Sequence, residues 1–532
     1  LRAGAAAEGI DLAARAPSGG EMIAYPVQSI RDYWQNCVHR WPRKTAFIYA
    51  GQSVTYAQAD EWIQRLRGHL ERECGLKPGD RVSFLMPNCL EYAIGYWAVI
   101  HAGGIVVPIN TRLRAEEIQS IQRSVESDIL FIHSEMLALA EEAYPAGEPP
   151  HYRVAVGWED GGALSYETMI AGGEPAAYHP EIPPEAVAII MHTSGTTGMP
   201  KGAYMRHTDL FFNVKHTIFA QSFRHEDIHL LVTPMFHATA LYSLLPSAAY
   251  QGSTLVITPP VEIKELVALI QEHRVTTFLG VPTMMHFLST LRDLESYDLS
   301  SLRLCAYAGS PMPPQTIRRL RDRLPGVALH NFFGLTETIS ATHVLPDKDA
   351  DTRPDSIGKL LPEVYQKIID DEGNEVPPGV VGELCFHRSN VVQGYWNQPG
   401  RLEEAIVDGW FRTGDLACID EDGYVYLKGR KKEMIIVAGE NVYALEVENV
   451  LYAHDGVLDA AVIGIPATGA RAYLGELVKA VVVPKEGVTL TEVEIKRHCA
   501  ERLPTYKVPQ VIELRDKLPR NASGKVVKRE LV

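Results

Sequence analysis

The sequence predicts an α/β fold. A large N-terminal domain of layered α/β subdomains is expected over 1–429, with a small α+β C-terminal domain over 430–532. Three observations lead there. Helix-like stretches alternate with short β-branched runs through about residue 360, the pattern of parallel strands joined by helices. Beyond that point come strand-like runs with no helices between them. A basic stretch, Gly429-Arg430-Lys431-Lys432, then precedes a compact run of mixed elements.

The elements follow in order. The first unit is a helix over 57–73 and a strand over 81–85. Residues 92–109 carry no formal charge over 18 positions, but His101, Gly103-Gly104 and Pro108 fall inside. Gly-Gly ends a helix and 105–107 reads as a buried strand. A buried helix, a turn and a core strand are therefore expected rather than a membrane span. Further units are 263–273 with 276–279, and 315–323 with 327–330. Strands are expected over 381–387 and 424–427, with Asp422-Gly423 as a hairpin turn. After the basic stretch come a strand over 434–437, a helix over 444–452, and strands over 461–465 and 477–483. A helix over 492–503 closes the series, opened by Thr491-x-x-Glu494, a capping-box pattern.

Composition bounds the reading. The chain has 532 residues, 46% apolar and 22% charged, which excludes a disordered, collagenous or disulfide-scaffold protein. Its formal charge of −15 makes it a poor non-specific ligand for nucleic acid or anionic membranes. Seven scattered cysteines with no C-x-x-C pair point to free thiols in a reducing compartment, hence the cytoplasm, and away from a cysteine zinc site. Glu8 and Asp11 interrupt any signal-peptide core near the start.

The strongest local signal is Thr193-Ser194-Gly195-Thr196-Thr197-Gly198-Met199-Pro200-Lys201-Gly202. It follows an apolar run over 186–191 and precedes a helix expected around 209–215. Glycines let backbone N–H groups approach an anion, hydroxyls add donors, and Lys201 adds charge. The segment suits a polyphosphate, yet it is not a Walker A loop, which needs G-K-[ST] where Pro200-Lys201-Gly202 stands.

This loop resembles the phosphate loop of the adenylate-forming superfamily, which includes acyl-CoA synthetases, firefly luciferase and peptide-synthetase adenylation domains. Four other motifs fall in the family's order. They are Ala308-Gly309-Ser310-Pro311 on the adenine side, Asn331-Phe332-Phe333-Gly334-Leu335-Thr336-Glu337, Phe411-Arg412-Thr413-Gly414-Asp415, and Pro519-Arg520-Asn521-Ala522-Ser523-Gly524-Lys525. Gly429-Arg430-Lys431-Lys432 resembles the hinge, and the similarity spans about 30–530.

The resemblance implies that a carboxylic acid is activated by attack on the α-phosphate of ATP. Repulsion between two anions must be suppressed, and losing one positioned cation or donor in such a site typically costs about 2.7–4 kcal/mol. Lys525 is implied as that cation. Glu337 is a hard oxygen ligand suited to Mg²⁺ on the phosphates, with Thr336 a donor beside it; the same pair would also serve as a helix N-cap and first-turn acid. Asp415 would accept ribose hydroxyls, or be an Asp in a Gly-containing turn, and Arg430 would reach the same ribose. Phe333 would stack on adenine. The nucleotide set is thus Thr193, Ser194, Gly195, Thr196, Thr197, Gly198, Lys201, Ala308, Gly309, Ser310, Asn331, Phe332, Phe333, Gly334, Thr336, Asp415, Arg430 and Lys525. The family rotates its small domain between adenylation and thioester formation. Lys432 takes the hinge position, Ala438-Gly439 would line the channel for coenzyme A, and Tyr506-Lys507 would meet the CoA nucleotide. Relatives often carry Gly-Gly at 438–439 and Trp-Gly-Glu where this chain has Leu474-Gly475-Glu476.

The acid is read from Pro234-Met235-Phe236-His237-Ala238-Thr239-Ala240-Leu241. Peptide-synthetase relatives place an Asp here for the amino group. This chain has His237 and no acid, so a buried α-ammonium would lack a partner. No carrier-protein segment follows Lys525 in the sequence, which also speaks against an amino-acid module. His237 resembles the gate between acyl and CoA tunnels. Ala238, Thr239, Gly280, Phe332 and Ile339 would line a mostly apolar pocket for a medium-chain, branched or aromatic acid. The expected protein is an acid–CoA ligase with ATP, Mg²⁺, CoA and a carboxylic acid as its partners; a homodimer stays open. The alternatives are a fatty acyl-AMP ligase loading a carrier protein, a luciferase-like oxidase, and an inactive nucleotide-binding or scaffolding protein.

Overall fold

Two largely parallel sheets carry the N-terminal region, and a shared core lies between them. In the computed structural model, residues 29–144, 150–159, 162–172, 174–176, 181–193, 200–309, 312–521 and 525–532 are described. One sheet has seven strands, in the order Leu164–Ser165, Tyr152–Val156, Ile129–His133, Arg81–Leu85, Ile105–Pro108, Val187–Thr193, Lys201–Arg206. All its pairings are parallel except the last. The other sheet has nine strands. Its six central strands, Ala328–Phe333, Leu304–Tyr307, Thr277–Gly280, Ile228–Leu231, Thr254–Ile257 and Thr45–Tyr49, run parallel.

The uncharged stretch at 92–109 finds its explanation here. Helix Leu90–His101 is buried at every position but Glu91, and its side chains join a hydrophobic core that draws on both sheets. A helix apolar all round is what a site between two sheets requires. Gly103, at φ +74°, turns the chain into strand Ile105–Pro108. Among the described residues no helix is long and apolar enough to cross a membrane.

Beyond residue 360 a five-stranded antiparallel sheet follows, built from Gln366–Ile369, Gly382–His387, Trp410–Ile419, Ile406–Val407 and Val425–Arg430. A separate core then forms around Val447, Leu451, Val462, Val478, Val482 and Cys499. It belongs to helices Ala444–Tyr452 and Glu492–Ala500 and to the three-stranded sheet Val457–Pro466, Glu476–Pro484, Val511–Leu514. The capping box at Thr491 and Glu494 is formed as expected.

One unexpected strand is added and two local readings are corrected. The stretch after the phosphate loop is a strand, Lys201–Arg206, pairing back onto Val187–Thr193, before helix His207–Gln221 begins. The hairpin around Asp422-Gly423 joins Trp410–Ile419 to Val425–Arg430, so Asp415 stands in a strand and not in a turn. Thr336 and Glu337 lie in a non-helical segment, so neither caps a helix.

Candidate active site

Parallel strands discharge their C-terminal ends on one edge, and loops there are where α/β sheets gather ligand-binding groups. Strand Ile228–Leu231 leads to His237, Thr277–Gly280 ends on Gly280, Leu304–Tyr307 leads to Ala308 and Gly309, and Ala328–Phe333 leads to Gly334, Thr336 and Glu337. The other sheet brings Thr193, paired directly across its hairpin with Lys201. Ser194, Gly195, Thr196, Thr197, Gly198, Ser310 and the 522–524 part of the lysine motif lie outside the described residues.

The loop bearing His237 is pinned by a residue that sequence reasoning missed. Buried Asn88 donates to the carbonyls of Thr233 at 3.0 Å and Thr258 at 3.1 Å, and accepts the Met235 N–H at 2.7 Å. An amide standing alone among apolar neighbours was the available signal. A π-helical turn, Thr239–Leu244, follows, a form that recurs at functional sites. Burial lowers the His237 pKa to about 4, and the positive charges of Arg112 and Lys525 act in the same direction. The imidazole is therefore neutral at pH 7.

Gly334 makes a close backbone approach. A β-carbon there would stand 3.0 Å from the Ser340 carbonyl oxygen and 3.1 Å from the Ala341 Cα. Glu337 follows, with one carboxylate oxygen accepting the Tyr395 hydroxyl at 3.0 Å. Asn331 spends its side-chain N–H on the Ser356 carbonyl at 3.0 Å. Phe333 lies edge-on to His343, with ring centroids 6.0 Å apart. Phe332 is half-buried and Ile339 buried.

Asp415 and Arg430 face each other across adjacent strands. The Arg430 Nε lies 2.7 Å from the Asp415 Oδ1, and its Nη1 donates to the Thr413 carbonyl at 3.1 Å. Buried Glu383 holds the motif from behind: it takes Arg412 at 2.6 Å and the Gly414 N–H at 3.1 Å. Burial raises the Asp415 pKa, against the pull of Arg430 and Lys525; Glu337 and Glu433 add to the rise.

The tail carrying Lys525 is anchored to the small domain. Asn521 accepts the Lys525 N–H through its side chain at 2.9 Å. Lys528 pairs with Glu433 at 3.0 Å and Glu448 at 2.8 Å, and the Leu531 carbonyl accepts from Lys479 at 2.7 Å. Lys525 itself is exposed. Its ammonium lies close enough to His237 and Asp415 for its charge to act on both. Residues far apart in the chain, at 237, 337, 415, 430 and 525, therefore converge.

Around the expected hinge, Lys431 pairs with Asp371 and, at 3.5 Å, with Glu383. Lys432 is exposed. Ala438 and Gly439 form the two-residue turn between Ile435–Val437 and Glu440–Val442, with φ of +52° and +86°. The Ala438 N–H donates to the Leu474 carbonyl at 2.7 Å, and Glu476 accepts the Ile436 N–H at 2.7 Å. The two departures from the family's pattern are thus neighbours in space. Lys507 is not a free cation: Glu446 grips it at 2.6 and 2.8 Å.

Among the described residues no group of three His, Cys, Asp or Glu side chains could hold a metal ion. Glu337 keeps one oxygen with no hydrogen-bond partner among those residues. That fits Mg²⁺, which binds through one or two carboxylates plus substrate phosphates and water.

The chain matches the model of the AMP-binding enzyme family over residues 34–396 and that of the AMP-binding enzyme C-terminal domain over 446–525. It is 33% identical to a long-chain-fatty-acid–CoA ligase of Escherichia coli O6:H1, over 95% of this chain and 94% of that one. It is 35% identical to a feruloyl-CoA synthase of an Amycolatopsis species, over 92% and 96%. Among solved structures it is similar to an anthranilate CoA ligase in complex with anthranoyl-AMP, with a TM-score of 0.87 and 27% identity over 95% of this chain and 97% of that one.

Proposed function

The chain belongs to the AMP-binding enzyme family, and from that premise we propose a division of labour among its residues. It is an ATP-dependent carboxylic acid–CoA ligase acting through an acyl-adenylate. In the first step a carboxylate oxygen attacks the α-phosphorus of ATP and pyrophosphate leaves. In the second, the CoA thiol, losing its proton, attacks the acyl carbon and AMP leaves.

One observation carries the assignment of roles: Lys525, from the far end of the chain, brings its charge to His237 and Asp415. Such an ammonium offsets repulsion between the acid and the α-phosphate, where charge develops. Asp415 accepts from the ribose, with Arg430 fixing one of its oxygens. Glu337 takes Mg²⁺, which supplies charge neutralisation on the phosphates. His237, neutral, stands between the acyl and CoA sides without placing a second cation beside the carboxylate. Lys432 is the pivot about which the small domain, 430–532, turns for the second step. The hairpin at Ala438-Gly439 then faces the thiol, and Lys507 shares its charge between Glu446 and the CoA nucleotide.

The acid falls to the pocket proposed around Ala238, Thr239, Gly280, Phe332 and Ile339, none of them charged. This supports an apolar acyl group of medium, branched or aromatic form. Seven free cysteines, six of them buried, fit a reducing compartment, and a cytoplasmic location belongs to the same proposal. A panel of carboxylic acids, followed by pyrophosphate release with and without free CoA, tests the reading. Acyl-CoA should appear with the acid that releases pyrophosphate. Adenylate formation with no transfer to free CoA would redirect the second step to a carrier protein.

A further inference from the structure

Tyr395 belongs to no motif singled out in the sequence, yet it touches both halves of the proposed metal–phosphate site. Its phenol lies 3.0 Å from the Glu337 Oε1. The Lys201 ammonium sits 5.2 Å from its ring centroid, within the range of a cation–π contact. Tyr395 is 9% exposed.

The backbone around it is tied at both ends. On one side the Val392 N–H donates to the Glu337 carbonyl at 2.9 Å, and Val391 bridges Thr338. On the other, Ala203 bridges Tyr395, and the Trp396 N–H donates to the Gly202 carbonyl at 2.7 Å. Residues 391–396 therefore form a strut between the loop of Glu337 and the strand that follows the phosphate loop. A carboxylate oxygen only accepts, so the phenol is the donor in this contact.

We propose that Tyr395 is a positioning residue: its hydroxyl holds one oxygen of Glu337 so that the other faces Mg²⁺, while its ring face fixes the Lys201 ammonium at a set distance from that carboxylate. The proposal rests on the assignment of Glu337 to Mg²⁺ and of Lys201 to the phosphates. It adds the part that keeps the two in register. A carboxylate left to rotate would spend part of its time turned from the metal, and binding would weaken by the fraction of that time.

Tyr395→Phe removes only the donor, and Tyr395→Leu removes the ring face as well. The probe is the α,β-methylene analogue of ATP, titrated by calorimetry with Mg²⁺ and with chelator. In Tyr395→Phe the affinity gained from Mg²⁺ should fall about tenfold, the worth of one hydrogen bond to a charged group, with metal-free affinity unchanged. In Tyr395→Leu the metal-free affinity should fall too, by about fivefold, through the loss of the Lys201 contact. Thermal unfolding confirms that each variant is folded. Single-turnover thioester formation from supplied acyl-adenylate should stay at the wild-type rate. A wild-type response to Mg²⁺ in Tyr395→Phe overturns the proposal. Glu337→Gln separates the two levels. If it too binds Mg²⁺ and analogue as wild type does, the assignment of Glu337 falls along with the proposal. If it loses the metal response while Tyr395→Phe keeps it, only the role of Tyr395 falls.

Discussion

Asp415 is ionised at a cost to the fold. Its folded pKa is raised because burial outweighs the attraction of Arg430 and Lys525. A carboxylate with a raised folded pKa contributes its full stability only below the unfolded value, and loses it as pH climbs through the folded one. At pH 7 the charge is therefore retained against stability. Asp415→Asn should leave the thermal midpoint unchanged or raised, since Arg430 is 37% exposed and can turn to water. The KM for ATP should rise about tenfold or more, as a hydrogen bond to a charged group is lost; initial rates against ATP concentration, beside a melting curve, check both halves. Lys525 is exposed and packs little, so Lys525→Ala should not affect folding. Pyrophosphate exchange should drop about 10²–10³-fold, as for removal of one donor to developing charge, while transfer from supplied acyl-adenylate to CoA stays within a few-fold of wild type. Normal exchange in this variant would end the assignment. These residues were legible because each sits in a dense local pattern of Gly, Thr and charge. Asn88, Glu383 and Tyr395 were not. Their partners lie 29 or more positions away, and beyond the lone amide at Asn88 nothing local marks them.

Elements were legible where one face dominates. The helices over 57–73, 263–273 and 444–452 stand within a residue of their expected bounds, because each carries a continuous apolar stripe. Strand Lys201–Arg206 was missed because a lysine, a glycine and an arginine break its alternation; the hairpin ladder onto Val187–Thr193 supplies what propensity does not. Strand Trp410–Ile419 contains Gly414-Asp415, a turn-like pair, at φ +73° for the glycine. Glu383 takes the Gly414 N–H that the irregular ladder leaves free. Ala438 also holds a positive φ, where a methyl group is less at ease than a glycine's hydrogen. The single helical turn Lys431–Glu433 contains the proposed pivot. Lys431 is tied to Asp371 and Glu383, and Glu433 to Lys528. Lys432 between them points to solvent. Lys432→Pro restricts its backbone and should leave adenylation within about a few-fold while slowing thioester formation about tenfold or more, read by quench-flow as adenylate that accumulates before acyl-CoA. Unchanged transfer would count against rotation at this residue.

At the scale of the molecule, the order of the strands could not be read from the chain, since neighbours such as Thr45–Tyr49 and Thr254–Ile257 are joined only by long-range pairing. What composition did not announce is a sensitivity to acid. His207, His229 and His343 are 1%, 0% and 0% exposed, and burial lowers their pKa values to about 3, 4 and 4. His192 and His237 are lowered to about 4 by the same cause. The unfolded chain binds protons near pH 6.5 that the folded one refuses, so stability falls as pH drops from about 6.5 toward 4. Each of the three enclosed histidines withdraws about 1 kcal/mol by pH 5.5 on this linkage. Melting temperatures should fall steeply over that interval, with net proton uptake on unfolding; a flat profile would contradict the enclosed, neutral state of these rings. The anchoring on either side of Lys432 reaches further still. In the proposed rotation, Lys525 and the hairpin at Ala438-Gly439 ride on one body that swings from one bolt, like the two ends of a seesaw. On that proposal only one end is down at a time, and the thiol is admitted after the lysine has lifted away. Rotation of this kind would enforce the order of the two half-reactions by leverage, with ATP and CoA taking turns in ping-pong fashion.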